Sequence, residues 1–306
     1  MIALLYPFIL VSGILQALGN SMNAALRKRL KNPWLAATVS FLPVVFVFAT
    51  LFLVAPLPLP TTVSLGRMPW YAPLGGVAGA VAVFGGLVLV DKVGAGPFNG
   101  LVITGNILTS LLLDALGMFG LKGGGFKPLP WLGGLLMVGG IVFIARSGGA
   151  REASGGAGAG GKLLYPFILV AGALQALGVV WNAQLRDALV NPWLAATVSF
   201  IPVVFAFAVI GLLRPDPLPH RDDVAGLRWW MPLAGLAGAV AVFAGLLFVD
   251  KVGAGAFNGL LITANLLASI MLDHFGWLDM TQVKVGPARL GGAALMAVGI
   301  ALISLG

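Results

Sequence analysis

Apolar residues run along this chain in long blocks broken by short polar or basic stretches, without the strict apolar/polar alternation of a barrel wall. The blocks fall at about 4–26, 33–54, 71–90, 98–117 and 130–146, then 163–185, 192–213, 231–249, 257–275 and 287–305. Each is at or near the roughly 20 residues needed to cross a bilayer core. Runs such as 44–54 are apolar on nearly every side, so lipid or protein has to surround them. Backbone groups in hydrocarbon need internal partners, which leaves helices as the reading. The pattern predicts an all-α integral membrane protein with ten transmembrane helices.

The blocks are two copies of one set. Tyr6-Pro7-Phe8-Ile9-Leu10-Val11 returns as Tyr165-Pro166-Phe167-Ile168-Leu169-Val170, an offset of 159 residues. Residues 32–41 return at 191–200 and 91–96 at 250–255, and the register slips by one only near the end, where Gly133-Gly134 matches Gly291-Gly292. Five helices per copy is an odd number, so the second copy enters the membrane from the side where the first one left it. Two inverted five-helix repeats are therefore expected, an arrangement associated with transporters. The domains are 1–146, a Gly/Ala-rich linker at 147–161, and 162–306. Since the copies have diverged elsewhere, a polar residue kept in both marks a constraint.

Composition agrees: 59% of residues are hydrophobic and 9% charged, against about 25% charged in soluble domains, and mean hydropathy is +1.02. Net charge is +8. Threading the ten helices puts 13 of the 18 basic residues on the linker's side, including Arg27, Lys28, Arg29, Lys31, Arg221 and Arg228. By the positive-inside rule the linker is cytoplasmic and both termini are periplasmic. Topology thus accounts for the charge, and nucleic acid is not expected as a partner. The first helix lacks a basic n-region and cleavage site and is copied at Tyr165, so it reads as mature structure. With no cysteine, disulfides and thiolate metal sites are excluded.

Polar residues form stripes inside the apolar blocks. At 100° per residue, Gln16, Asn20, Asn23 and Arg27 share about 60° of arc on the first helix. The copy keeps Gln175, Asn182 and Arg186, while Asn20 becomes Val179 and Met22 becomes Trp181. On the fourth helix Asn99, Asn106, Ser110 and Asp114 share about 80° and return as Asn258, Asn265, Ser269 and Asp273. An unpaired amide in hydrocarbon costs roughly 2–7 kcal/mol, so these faces look at other helices or a wet cavity. Two readings stand side by side. The stripes are helix-to-helix glue, at about 0.6 kcal/mol per bond. Or Gln16, Asn20, Asn23, Asn106, Ser110, Gln175, Asn182, Asn265 and Ser269 bind a polar solute near the midplane, where amides offer donors and acceptors. Asp114 and Asp273 are the matched acids on these faces. They are candidates for ion coupling, or else interfacial carboxylates paired with a base or solvated. Gly75, Gly76 and Gly79, with their counterparts Ala234, Gly235 and Gly238, predict close helix approach. No nucleophile, base and orienting group converge, no His or Cys cluster has metal spacing, and Gly94-Ala95-Gly96-Pro97 lacks the Gly-Lys-Ser/Thr of a phosphate loop. The expectation is no enzyme, no metal and no cofactor.

Gln16-x6-Asn23, Asn32-Pro33 with Val39-Ser40-Phe41, and Ser269-Ile270-Met271-Leu272-Asp273-His274-Phe275-Gly276 followed by Arg289-Leu290-Gly291-Gly292 resemble the YdcZ-type branch of the drug/metabolite transporter (DMT) superfamily. The resemblance covers both halves and implies a fused form of a five-helix unit. Pro43 and Pro202 stand where that pattern has Gly, and Asn106 and Asn265 where it has Gln. It implies a DMT-like fold and a secondary transporter of the bacterial inner membrane, moving a small polar metabolite or drug-like solute by alternating access, with export favoured by analogy. The alternative is a passive channel or pore lined by the same amides. The expected partners are the lipid bilayer and the solute. Fusion of both repeats makes a monomer sufficient, and a homodimer is compatible with the same sequence. One test follows from charge and helix parity: a reporter active only in the cytoplasm should stay dark when fused after Gly306 and signal when inserted at Gly156, and the reverse pattern would overturn the orientation.

Overall fold

The computed structural model describes residues 5–93, 95–148, 163–214, 216–279, 282 and 284–306. Linker residues 149–161 and the side chains of Asp91 and Lys92 lie outside the described set. The long helices are α1 (Leu5–Leu30), α2 (Pro33–Val54), α3 (Gly75–Val93), α4 (Ala95–Leu116), α5 (Pro128–Gly148), α6 (Tyr165–Leu189), α7 (Pro192–Leu213), α8 (Ala234–Val252), α9 (Ala254–Phe275) and α10 (Pro287–Leu305). No strand occurs among the described residues. Among the described residues eight stretches are long and apolar enough to cross a membrane, and two further apolar helical stretches, Ala72–Gly85 and Pro128–Ile144, are shorter.

Several helices run past the limits expected from hydropathy, because hydropathy reports the hydrocarbon-embedded part and backbone hydrogen bonding continues beyond it. α1 extends to Leu30 through Arg27, Lys28 and Arg29, whose charges suit the negative end of the helix dipole. α6 reaches Leu189, and α4 and α9 begin at Ala95 and Ala254 rather than near 98 and 257. The repeated Asn-Pro pair has a local role. Asn32 and Asn191 are N-caps whose Oδ1 accepts from Trp34 and Leu35, and from Trp193 and Leu194, at 2.9–3.2 Å, with Pro at the first helical position, where its missing N–H costs nothing. Trp70 and Trp229 are both 81% exposed, as interfacial belt residues would be.

The principal packing crosses between the repeats. α1 lies on α8 and α9, and α6, its copy, lies on α3 and α4; α2 packs on α7 and α5 on α10. Small residues let backbones meet at these crossings. A Cβ at Gly13 would stand 2.5 Å from the Leu261 carbonyl, and one at Gly172 would strike the Val102 carbonyl. Contacts also sort the chain into two ends. At the linker end, Lys31 Nζ donates to Asp223 (3.0 Å), holding that carboxyl below the usual range, and Leu26 and Leu30 bury Met231. At the terminal end, Lys127 reaches the Gly306 carbonyl (2.5 Å), and Phe8 meets Phe248 edge-on at 5.5 Å.

Close approach on α3 occurs at Gly75 and Gly76, which face Asn182 and the Ser199 backbone, and the backbones of Gly79 and Gly238 meet Gly178 and Gly19, but an added Cβ at Gly79 or Gly238 would point away and meet nothing within 4 Å. Regular small-residue spacing does not reveal which face of a helix is crossed. Gly76→Ala should therefore lower stability by about 1–3 kcal/mol through overpacking. Gly79→Ala should raise it by about 0.5–1 kcal/mol through helix propensity. Melting of the two purified variants checks this, and equal shifts would refute the assigned crossing.

Candidate functional site

Four amides, each near the middle of its helix, form two matched pairs between repeats. Asn106 Nδ2 on α4 donates to Gln175 Oε1 on α6 at 3.1 Å, and Asn265 Nδ2 on α9 donates to Gln16 Oε1 on α1 at the same 3.1 Å. The shared α1–α9 and α4–α6 packing places them opposite one another. Asn106 is buried, while Gln16, Gln175 and Asn265 are half-buried. In each pair the glutamine NH2 donors remain available for another group.

Toward the terminal end the stripes are closed by further bonds. Ser110 Oγ donates to the Asn106 carbonyl (2.7 Å) and accepts from Asn258 Nδ2 (2.9 Å). Ser199 Oγ donates to Asn182 Oδ1 at 2.8 Å. Both Asp114 oxygens accept backbone N–H groups, from Ala254 at 2.7 Å and Gly255 at 2.5 Å, so this side chain of α4 caps the start of α9. Arg186 spans Asp187 and Asp250, with Nη2 3.0 Å from Asp250 Oδ2, and also donates to the Leu247 carbonyl.

The linker-end members of the stripes behave differently. No hydrogen bond reaches the side chains of Asn20, Asn23, Asn99 or Ser269 among the described residues. Asn20 and Asn99 are exposed, Asn23 and Ser269 half-buried. Asp273 has the base that an interfacial carboxylate calls for, with Arg289 Nη1 at 3.1 Å. The candidate residues thus meet as two amide pairs and a bonded terminal-end tier, and Asn20 and Asn23 stay apart from both. No group of three or more His, Asp or Glu that could hold a metal ion occurs among the described residues.

Sequence reasoning missed two parts of this region. Ser199, repeated as Ser40 within Val198-Ser199-Phe200 and Val39-Ser40-Phe41, bonds Asn182 on the stripe of α6, and this repetition was the available signal. Tyr71, Phe119 and Trp181 form a three-ring cluster with centroids 5.3, 5.5 and 6.1 Å apart. That cluster had no repeat signal, since the counterparts of Tyr71 and Trp181 are Trp230 and Met22.

The family described as "Putative inner membrane exporter, YdcZ" matches this chain over residues 4–143 and again over 163–302, nearly the whole of each half. The chain belongs to the YdcZ family. It is accordingly a membrane transporter of the DMT superfamily, carrying two copies of the family unit. Among solved structures 26 chains match. One, titled only "Crystal structure of protein", is similar at a TM-score of 0.72 and 19% identity, over 99% of this chain and 96% of that one; this likeness concerns the fold alone. No curated protein matches. Capping by Asp114 is testable within the YdcZ fold: Asp114→Ala should cost roughly 0.5–2 kcal/mol, read as a lowered melting temperature, and Asp114→Asn less, since one acceptor remains. An unchanged melting temperature in Asp114→Ala would refute the cap.

Proposed function

We propose that this chain is a secondary transporter of the inner membrane, built from two inverted repeats of five membrane-spanning helices, that moves a small, polar, uncharged solute by alternating access. The observation that carries this reading is the matched pair of amide bridges, Asn106–Gln175 and Asn265–Gln16, each joining the first helix of one repeat to the fourth helix of the other at mid-depth. In inverted-repeat transporters the solute sits at the repeat interface near the midplane. Amides there offer donors and acceptors without the desolvation cost of a buried charge. Inversion is supported by the odd helix count and by the contacts that gather Lys31 with Asp223 at one end and Lys127 with Gly306 at the other. Spans at α3 and α5 are supported by their copies α8 and α10, which are long and apolar enough to cross a membrane. Cytoplasmic placement of the linker and periplasmic placement of both termini rest on the basic-residue bias, and export rests on the family's description.

Any coupling ion acts through Asp114 and Asp273, the matched carboxylates on the polar faces. A proton or sodium ion there competes with the α9 N–H groups at Asp114 and with Arg289 at Asp273, so binding is tied to helix contacts.

The test is solute counterflow in proteoliposomes with purified protein. Gln16→Ala, Asn106→Ala, Gln175→Ala and Asn265→Ala should each weaken apparent affinity about tenfold or more, as loss of a hydrogen bond of about 1.4 kcal/mol to solute would, with a smaller effect on melting. Four destabilised variants with unchanged affinity would return these residues to helix packing, and non-saturable flux without counterflow would identify a pore. In the same assay, Asp114→Asn with Asp273→Asn should abolish gradient-driven accumulation and spare exchange; accumulation that persists would remove these carboxylates from coupling.

A further inference from the structure

Gene duplication gives both ends of the bundle the same polar partners, yet only one end has its partners joined. At the terminal end, Asn182 bonds Ser199 and Asn258 bonds Ser110, and all four side chains are at most 3% exposed. The copies of these pairs at the linker end are Asn23 with Ser40 and Asn99 with Ser269, and neither bond is made. Ser40 is fully buried with its hydroxyl unpartnered, one of five such side-chain atoms among the described residues, with Trp181 Nε1, Gln184 Oε1, Asn191 Nδ2 and Thr263 Oγ1; it alone among them is the copy of a residue whose bond to the stripe is made, Ser199. Asn99 is exposed where Asn258 is buried, and Ala24 is exposed where Ala183 is buried.

Apolar packing is divided in the same way. At the terminal end one cluster joins α1, α4, α6, α8 and α9 through Ile9, Leu113, Val180, Val249 and Phe257, with Phe119 against it. The copies of Ile9 and Phe257 are Ile168 and Phe98. They sit in a separate cluster drawn from α3, α4 and α6, and on the linker side α1 meets α9 only through the smaller cluster of Ala17, Ala268 and Leu272 among the described residues. The rings of Tyr71, Phe119 and Trp181 lie at the terminal end, beside Asn182.

We propose that the structure is closed at the terminal end and open at the linker end, and that Asn182–Ser199 and Asn258–Ser110 break as Asn23–Ser40 and Asn99–Ser269 form. This gating scheme rests on the alternating-access reading above. Because each bond lost is replaced by its chemical copy, the two states differ little in energy, which a carrier needs in order to cycle. Ser40 is the empty half of a bond belonging to the other state. The solute enters from the linker end along Asn20, Asn23, Asn99 and Ser269.

The native chain has no cysteine, so single-cysteine labelling has no background. Variants in lipid nanodiscs, where both faces are accessible, are treated with a membrane-impermeant sulfonated maleimide. Ala24→Cys and Asn99→Cys should label at least about tenfold faster than Ala183→Cys and Asn258→Cys, as expected when the terminal-end-open state is a minor population of 10% or less. Adding Ser199→Ala removes a terminal-end bond, and should raise labelling at Ala183→Cys while lowering it at Ala24→Cys. Melting curves confirm folding, and the conservative Ala24 and Ala183 substitutions keep the comparison valid if an Asn variant fails to fold. Equal labelling at both ends, the opposite order, or a rise at both ends with Ser199→Ala would overturn the scheme. Solute counterflow with equal labelling would sink the gating scheme alone. Asymmetric labelling without transport of any solute would support the closed end and sink the transporter reading instead.

Discussion

An amide in hydrocarbon has no water to fall back on, and the arrangement of this protein follows from that constraint. Gln16 and Gln175 sit near the middle of α1 and α6, and each finds its partner in the opposite repeat. Meeting the constraint this way fixes which helices are neighbours: α1 has to lie on α9 and α6 on α4, with glycines at Gly13 and Gly172 where the backbones meet. Pairing within each repeat would satisfy the same four amides, so it is the close crossing of α1 on α9 and α6 on α4, at Gly13 and Gly172, that makes the partners cross-repeat. The interlock of the halves and the polarity at mid-depth are therefore one feature seen twice.

Pairing of this kind also suits a binding site. Asn106 and Asn265 spend one donor on a glutamine, and the glutamine NH2 groups stay free, so a polar solute can join the network without leaving a buried group unsatisfied. The charged residues are kept to the ends. Asp114 caps α9, Asp273 meets Arg289, and Arg186 bridges Asp187 and Asp250, so no described ion pair lies at the depth of the amides.

Much of this was legible in the chain itself. The 159-residue offset and the apolar blocks gave the helices in order, and the matched stripes singled out the four amides. Helix partners were not legible. Spacing places Asn106 and Asn265 on a face, but the residue opposite that face depends on a fold bringing positions 69 and 249 residues apart together. Asp114 looked like a carboxylate seeking a base, because its backbone donors at Ala254 and Gly255 lie 140 residues away and carry no charge to announce them. The unequal ends were least legible of all, since identical motifs cannot specify which copy is bonded in a given conformation; that belongs to the state and not to the sequence.

The central claim is that the amides hold the repeats together across their interface, and a double-mutant cycle measures it directly. Asn106→Ala, Gln175→Ala and the double variant would be unfolded thermally in one lipid environment, with Asn265 and Gln16 treated in the same way. The account predicts a stabilising coupling of roughly 0.6 kcal/mol, and no more than about 1.7, in each of the two cycles, and none between Asn106 and Gln16. Strictly additive effects within both pairs would contradict it.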